Sequence, residues 1–321
     1  MIILTGAAGF IGSAYLWKLN DRGIKDILIV DEADISDRKV NLAGKSFTDY
    51  LDKENFIRQV RQDKLPGKVS AVVHIGACSS TTESNSAYLT ENNFAYTRDL
   101  CLYCLSKGAS FLYASSAATY GDGSEGYDDA HERIPLLKPL NLYGQSKQDF
   151  DLWALKQGLL DQITGFKFFN VYGPNEYHKG EMKSVIAKSY DTVAKEKKMR
   201  LFKSYRPEYG DGEQKRDFIY VKDTLEVMDY FLLHPEKRGI YNVGTGLART
   251  WNHLAHALFA AQSMTPCIEY IEMPATLRDK YQYFTEADIR RLRNAGYTRP
   301  FTGLEEGVKD YCTYLARHHC L

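Results

Sequence analysis

The chain opens with an apolar strand that runs directly into Gly6-Ala7-Ala8-Gly9-Phe10-Ile11-Gly12, and a helical pattern follows. Few local sequences constrain a fold as strongly. Glycines at such a junction permit a tight turn, let the backbone approach a pyrophosphate and pack the helix onto the strand. The helix N-terminus adds unpaired amides and the positive end of a dipole. Gly6, Gly9, Phe10, Ile11 and Gly12 are therefore expected to bind a dinucleotide. A glycine pattern alone is weak evidence, and the strand–loop–helix setting gives it weight.

Further short apolar runs follow: Ile27-Leu28-Ile29-Val30, Ala71-Val72-Val73-His74 and Phe111-Leu112-Tyr113-Ala114. Hydrophobic and polar residues do not alternate within them, and helical patterns separate them, one over residues 86–106. Strands of this kind are buried on both faces. The expected class is α/β, a doubly wound parallel sheet of the Rossmann kind that binds ligands beyond the carboxyl ends of its strands. After Gly173-Pro174 the texture becomes polar and basic around a helix predicted over 182–197. Residues 217–221 and 240–244 look like returns to the sheet. A strand over 267–271 and a helix over 286–294 follow. We expect a dinucleotide-binding domain over 1–173 with returns near 214–246. A smaller, interleaved substrate-binding region is expected from 174–213 and 247–321.

Tyr143 and Lys147 stand four apart and so share one helix face. An ammonium beside a phenol favours the phenolate, making Tyr143 a base nearer neutral pH. Ser116, in the run Tyr113–Gly121, would hydrogen-bond the same substrate oxygen. With a dinucleotide, these groups can move a hydride to or from a carbinol carbon. Asp31 ends the second strand, where a carboxylate would bond the adenosine ribose and favour NAD. Arg38, Lys39 and Lys53 could instead neutralise a 2′-phosphate. Ile75-Gly76-Ala77-Cys78-Ser79 closes a third strand with small residues, suited to backbone passing a cofactor, and Asn92 follows on the next helix.

Lysine plus arginine equals aspartate plus glutamate, 41 against 41, so nothing global points to nucleic acid or an anionic membrane. No apolar run reaches the roughly 18 residues of a spanning helix, and the apolar start is too short for a secretion signal. A cytoplasmic protein is expected. The cysteines, Cys101-Leu102-Tyr103-Cys104 included, form no disulfide framework, and no histidine spacing suggests a metal.

Several stretches together resemble the extended short-chain dehydrogenase/reductase superfamily, specifically its nucleotide-sugar epimerases and dehydratases. They are Gly76–Glu83, Tyr113–Gly121, Phe168–Pro174, His178-Lys179-Gly180, Lys215–Phe218 and Tyr281–Thr285, and the likeness covers nearly the whole chain. Within that group they are most similar to the heptose 6-epimerases, which implies an ADP-heptose substrate. The resemblance implies NADP held throughout the cycle, with NAD the alternative, and a homo-oligomer. Phe10, Ile11, Asp31, Glu32, Arg38, Lys53, Ile75, Gly76, Ala77, Cys78, Ser79, Asn92, Lys147 and Val171 would line the cofactor. Inverting an unactivated carbinol carbon requires oxidation to a ketone and hydride return to the other face. Rotation between these steps moves the oxygen, so a second base, Lys179, is expected beside Tyr143. Arg216 would grip the diphosphate. Asn170, Phe202, Lys203, Ser204, Tyr205 and Tyr281 would contact the remainder, with Glu181 and Lys188 standing where the family often carries serine and histidine. A hexose 4-epimerase, a 4,6-dehydratase or a non-catalytic NADP sensor are the alternatives. Ala117-Ala118 after Ser116, in place of an acidic pair, argues against elimination.

Overall fold

The computed structural model describes residues 1–278 and 281–321. The first half alternates strand and helix: β1 (Ile2–Thr5), α1 (Phe10–Asp21), β2 (Ile27–Asp31), β3 (Asp49–Asp52), α2 (Lys53–Arg61), β4 (Ala71–His74), α3 (Ser86–Leu89), α4 (Tyr96–Lys107), β5 (Ser110–Ser116), α5 (Leu142–Lys156) and β6 (Thr164–Phe168). Then come β7 (Asn170–Tyr172), α6 (Val185–Glu196), β8 (Met199–Phe202), β9 (Lys215–Tyr220), α7 (Val221–Leu233), β10 (Gly239–Val243), β11 (Ala248–Thr250), α8 (Trp251–Ala261), β12 (Ile268–Ile271), α9 (Ala275–Arg278), α10 (Arg290–Asn294) and α11 (Leu304–Arg317).

Among the described residues the largest sheet has seven strands in the order β10-β6-β5-β4-β1-β2-β3. All its pairings are parallel, with Ile2 opposite both Ile27 and Ala71. The order reverses between β1 and β4, and that switch point opens a crevice at their carboxyl ends. Neighbouring residues of a strand feed two different cores. Leu4, Ile29, Val73, Leu112 and Phe166 pack on one side. Ile3, Leu28, Val72 and Phe111 pack on the other. This two-sided burial explains the uninterrupted apolar runs.

The fold departs from the sequence reading at residues 217–221 and 86–106. Residues 217–221 do not return to the large sheet, because β10 already occupies the outer side of β6. Instead β9 pairs parallel with β7 and antiparallel with β11 in a small separate sheet. The helix expected over 86–106 contains a π-helical turn at Thr90–Ala95, between α3 and α4. Strand β12 pairs with β8, so residues near 200 and 270 form one two-stranded unit. Among the described residues no helix is long and apolar enough to cross a membrane.

Candidate active site

The crevice is a cleft of about 700 Å³. Its floor is the loop from β1 to α1. Gly6 has φ +67°, and a Cβ there would lie 2.7 Å from the Cα of Gly76. A Cβ on Gly12 would lie 2.0 Å from the carbonyl oxygen of Gly6. Any side chain at either position would separate the loops after β1 and β4 or lift α1 off its strand. The Asp31 carboxylate accepts from the backbone N–H of Ala8 (2.8 Å) and from Arg38 (3.1 Å). Lys53 reaches the side-chain oxygen of Asn92 at 2.8 Å and Glu32 at 3.4 Å. The Nε of Arg38 is buried with no partner among the described residues. A buried donor without an acceptor is costly, so a bound anion fits here. Glycine cradle, helix N-terminus and the Arg38 guanidinium together suit the phosphates of a dinucleotide.

The catalytic helix is set by two local devices. Asn141 caps α5 by accepting from the N–H of Gly144 at 2.8 Å. A Cβ on Gly144 would sit 2.8 Å from the carbonyl oxygen of Ala118, so glycine lets α5 close onto the turn after β5. That approach brings Tyr143 against Ser116. Lys147 is buried and donates to the carbonyl of Ala114 at 2.9 Å. Burial pushes the Tyr143 phenol above its usual range, with the Ser116 hydrogen bond pulling the other way. Lys147 does not supply the expected depression of Tyr143. Its own ammonium is desolvated and held at about 8, with the Asp151 carboxylate opposing the fall. Desolvation of the phenol therefore sets the direction of its shift.

Lys179 enters from the short turn Tyr177–Met182 before α6. Its Nζ lies 5.3 Å from the centre of the Phe10 ring, at the start of α1. Burial lowers its pKa, with Glu176 opposing.

Gly6, Gly9, Phe10, Ile11, Gly12, Asp31, Glu32, Arg38, Lys53, Ile75, Gly76, Ala77, Ser79, Asn92, Lys147 and Val171 all line the cleft, as do Ser116, Tyr143, Asn170 and Lys179. Cys78 does not line it. Both its backbone polar groups are taken by the Asn93 side chain, at 2.9 and 3.0 Å. Glu181 and Lys188 also lie off the cleft wall; they are exposed and pair with each other at 3.1 Å. Phe202 and Tyr281 meet edge to face at 6.4 Å in a neighbouring cluster. Lys203 is held there by Glu272 at 2.8 Å, Ser204 bonds the Arg206 carbonyl, and Tyr205 donates to Glu272. Arg216 joins this cluster to the cleft. Its guanidinium lies 5.1 Å over the Tyr281 ring and 5.9 Å over that of Trp251, which lines the cleft. Arg216 is 7% exposed and has no carboxylate partner among the described residues. Its burial disfavours the cation, and an incoming anion would reverse that.

The sequence reading missed Asn93, which is 1% exposed and also donates to Ser146 of α5 at 2.9 Å. It also missed Glu176 and Asn175, polar residues before Lys179 that carry no spacing signal. Asn93 follows the half-buried Asn92 directly, and the π turn aims the second one inward.

Residues 2–244 match the sequence model of the NAD dependent epimerase/dehydratase family. The chain belongs to this family. It is 55% identical to an ADP-L-glycero-D-manno-heptose-6-epimerase of Nitratidesulfovibrio vulgaris over 98% of each chain. Against the enzyme of the same name from Fusobacterium nucleatum the identity is 48%, over 99% of this chain and 98% of that one. The crystal structure of the Helicobacter pylori ADP-L-glycero-D-manno-heptose-6-epimerase matches with a TM-score of 0.83 at 28% identity, covering 98% of this chain and 96% of the other. The cleft is thus that of an epimerase built on a nicotinamide dinucleotide.

Proposed function

We propose that the enzyme interconverts ADP-D-glycero-β-D-manno-heptose and its L-glycero epimer at C6, with NADP and with Tyr143 and Lys179 as two bases. One observation carries the two-base reading: Tyr143 on α5 and Lys179 on the turn before α6 line the same cleft as the glycine loop. A nicotinamide dinucleotide held by the glycine loop, Asp31, Arg38 and Lys53 would supply the hydride acceptor and donor that inversion at C6 through a 6-ketone requires. Ser116 holds the reacting oxygen. One base takes the hydroxyl proton during oxidation. After rotation about C5–C6 the other base, facing the displaced oxygen, gives a proton back as the hydride returns. Lys147 orients the nicotinamide ribose. Arg216, already stacked and stripped of water, receives the diphosphate, with the Phe202–Tyr205 loop and Tyr281 around it.

Arg38 and Lys53 support NADP, since both cations stand beside Asp31 and Glu32 where a 2′-phosphate would lie. We read residues 1–173 as chiefly cofactor-binding, and 174–213 with 247–321 as chiefly substrate-binding. A nucleotide-sugar substrate places the reaction in the cytoplasm, and the same reading carries a homo-oligomer.

The test is conversion of ADP-D-glycero-β-D-manno-heptose by purified, cofactor-loaded protein, resolving the C6 epimers by chromatography. An equilibrium mixture is expected with wild type, and loss of about a thousandfold or more in Tyr143→Phe and in Lys179→Met. Full activity in Lys179→Met would overturn the two-base reading. No conversion by wild type would overturn the substrate.

A further inference from the structure

Lys179 sits in a loop that closes on one buried carboxylate. Asn175 holds a left-handed backbone, φ +80°, and is fully buried. Its side chain donates to Ser13 of α1 at 2.9 Å, and its carbonyl accepts from Asn41 at 3.1 Å. The same Asn41 amide donates to the carbonyl of Ala8, inside the glycine loop, at 2.9 Å. The turn before Lys179 is therefore tied to the cofactor floor at two points. The next residue, Glu176, is 1% exposed. Its carboxylate accepts from both the backbone N–H and the hydroxyl of Ser184, each at 2.6 Å. Ser184 in turn caps α6 through the N–H of Ala187. Lys179 lies inside the loop so formed, and its own N–H donates to the Glu176 carbonyl at 3.1 Å.

We propose that Glu176 is the positioning residue of the second base: its carboxylate closes the 176–184 loop on Ser184 and supplies the negative charge that faces the Lys179 ammonium. This rests on Lys179 being a base. An amide would keep one acceptor for the Ser184 N–H but would place a donor where the carboxylate now accepts from the Ser184 hydroxyl, which would have to turn away. The carboxylate satisfies both donors and adds a charge, which is costly at this depth without a cation to face it. The mutual effect runs both ways. Glu176 favours the charged form of Lys179, and Lys179 favours the ionised form of Glu176. Two other titratable neighbours do not replace it. His178 is disfavoured as a cation by burial, with Arg38 adding to that, and Tyr311 of α11 is held neutral by burial. The consequence is a lysine kept desolvated, as a base requires, yet not so depressed that it has no proton to return to the rotated substrate oxygen.

The experiment titrates Lys179 directly, without turnover. Cofactor-loaded protein is labelled with trace acetic anhydride across pH 6 to 11, and acetylation of the Lys179 peptide is quantified by mass spectrometry. Glu176→Gln removes an anion that stabilises the ammonium, so the labelling midpoint should fall by about one pH unit. The Lys179-dependent limb of the kcat/KM profile should move by the same amount. Glu176→Asp, which keeps a carboxylate but withdraws it by one methylene, should fall part of the way and serves if the glutamine variant does not fold. An unchanged midpoint in either variant, with activity lowered equally at all pH, would reduce Glu176 to a structural strut and overturn the proposal. Because labelling needs no substrate, it separates this failure from failure of Lys179 as a base, which Lys179→Met reports.

Discussion

Asp151→Asn should cost about 3 kcal/mol of stability, for reasons visible beneath the catalytic strand. Asp151 and Lys167 form an ion pair of 2.7 Å with side chains 0% and 1% exposed. The same carboxylate accepts from Tyr113 (2.8 Å) and Ser115 (2.7 Å). The ammonium also reaches Thr119 at 2.7 Å and lies 5.3 Å over the Tyr120 ring. An asparagine keeps the shape and one acceptor, and the Tyr113 hydroxyl can turn to accept from its amide. What remains is a buried ammonium whose anion is gone. Breaking such pairs costs about 3–5 kcal/mol, and the retained hydrogen bonds argue for the lower end. That corresponds to a fall of roughly a hundredfold in the folding equilibrium. Urea denaturation of the paired proteins measures it. Adding Lys167→Met removes the stranded charge and should recover most of the loss. A deficit below about 1 kcal/mol, or a double variant weaker than Asp151→Asn alone, would refute the argument.

Gly144→Ala should lower kcat by about tenfold or more with little change in thermal stability, because a Cβ 2.8 Å from the Ala118 carbonyl must shift Tyr143 by tenths of an ångström while alanine favours the helix; unchanged kcat would show that α5 can yield without moving the phenol. Arg38→Gln should weaken NADP binding by about tenfold to a hundredfold and leave NAD nearly unchanged, measured by fluorescence titration; equal losses for both would place the 2′-phosphate elsewhere. Asp129 is pushed up to about 7 by burial, from 3.8. A carboxyl raised on folding contributes its stability at low pH and loses it as pH rises through the folded pKa. Asp129→Asn, which can still accept from the Asn242 N–H, should therefore gain stability relative to wild type as pH rises from about 4 to about 7, by up to about 1.4 kcal/mol per unit, and level off above that, in paired denaturation curves.

What the sequence disclosed depended on how local each device is. The glycine loop and the Tyr143–Lys147 pair each lie within a single turn or helix, so spacing alone places their side chains. The parallel sheet was legible because burial on both faces leaves uninterrupted apolar runs such as Ile27–Val30. The same logic could not place Phe218-Ile219-Tyr220, since an apolar strand looks alike whether it joins the large sheet or pairs with β7 and β11. Nor could it separate Asn92 from Asn93, whose directions are set by a π turn with no sequence signature. Glu181 and Lys188 occupy sequence positions near Lys179, yet the turn at Gly180, φ +51°, carries them out to solvent, where they find each other. Protonation was the least legible property. Spacing suggested that Lys147 would ionise Tyr143, but the lysine is tied to Ala114 and the phenol is desolvated. Proximity in a sequence identifies which groups meet. Which of them holds the proton depends on how much water the fold removes from each, and the folded surroundings alone determine that. Glu176 shows the same dependence from the other side: unremarkable in the chain, it becomes a charge beside Lys179 only once Ser184 and the glycine floor have closed around it.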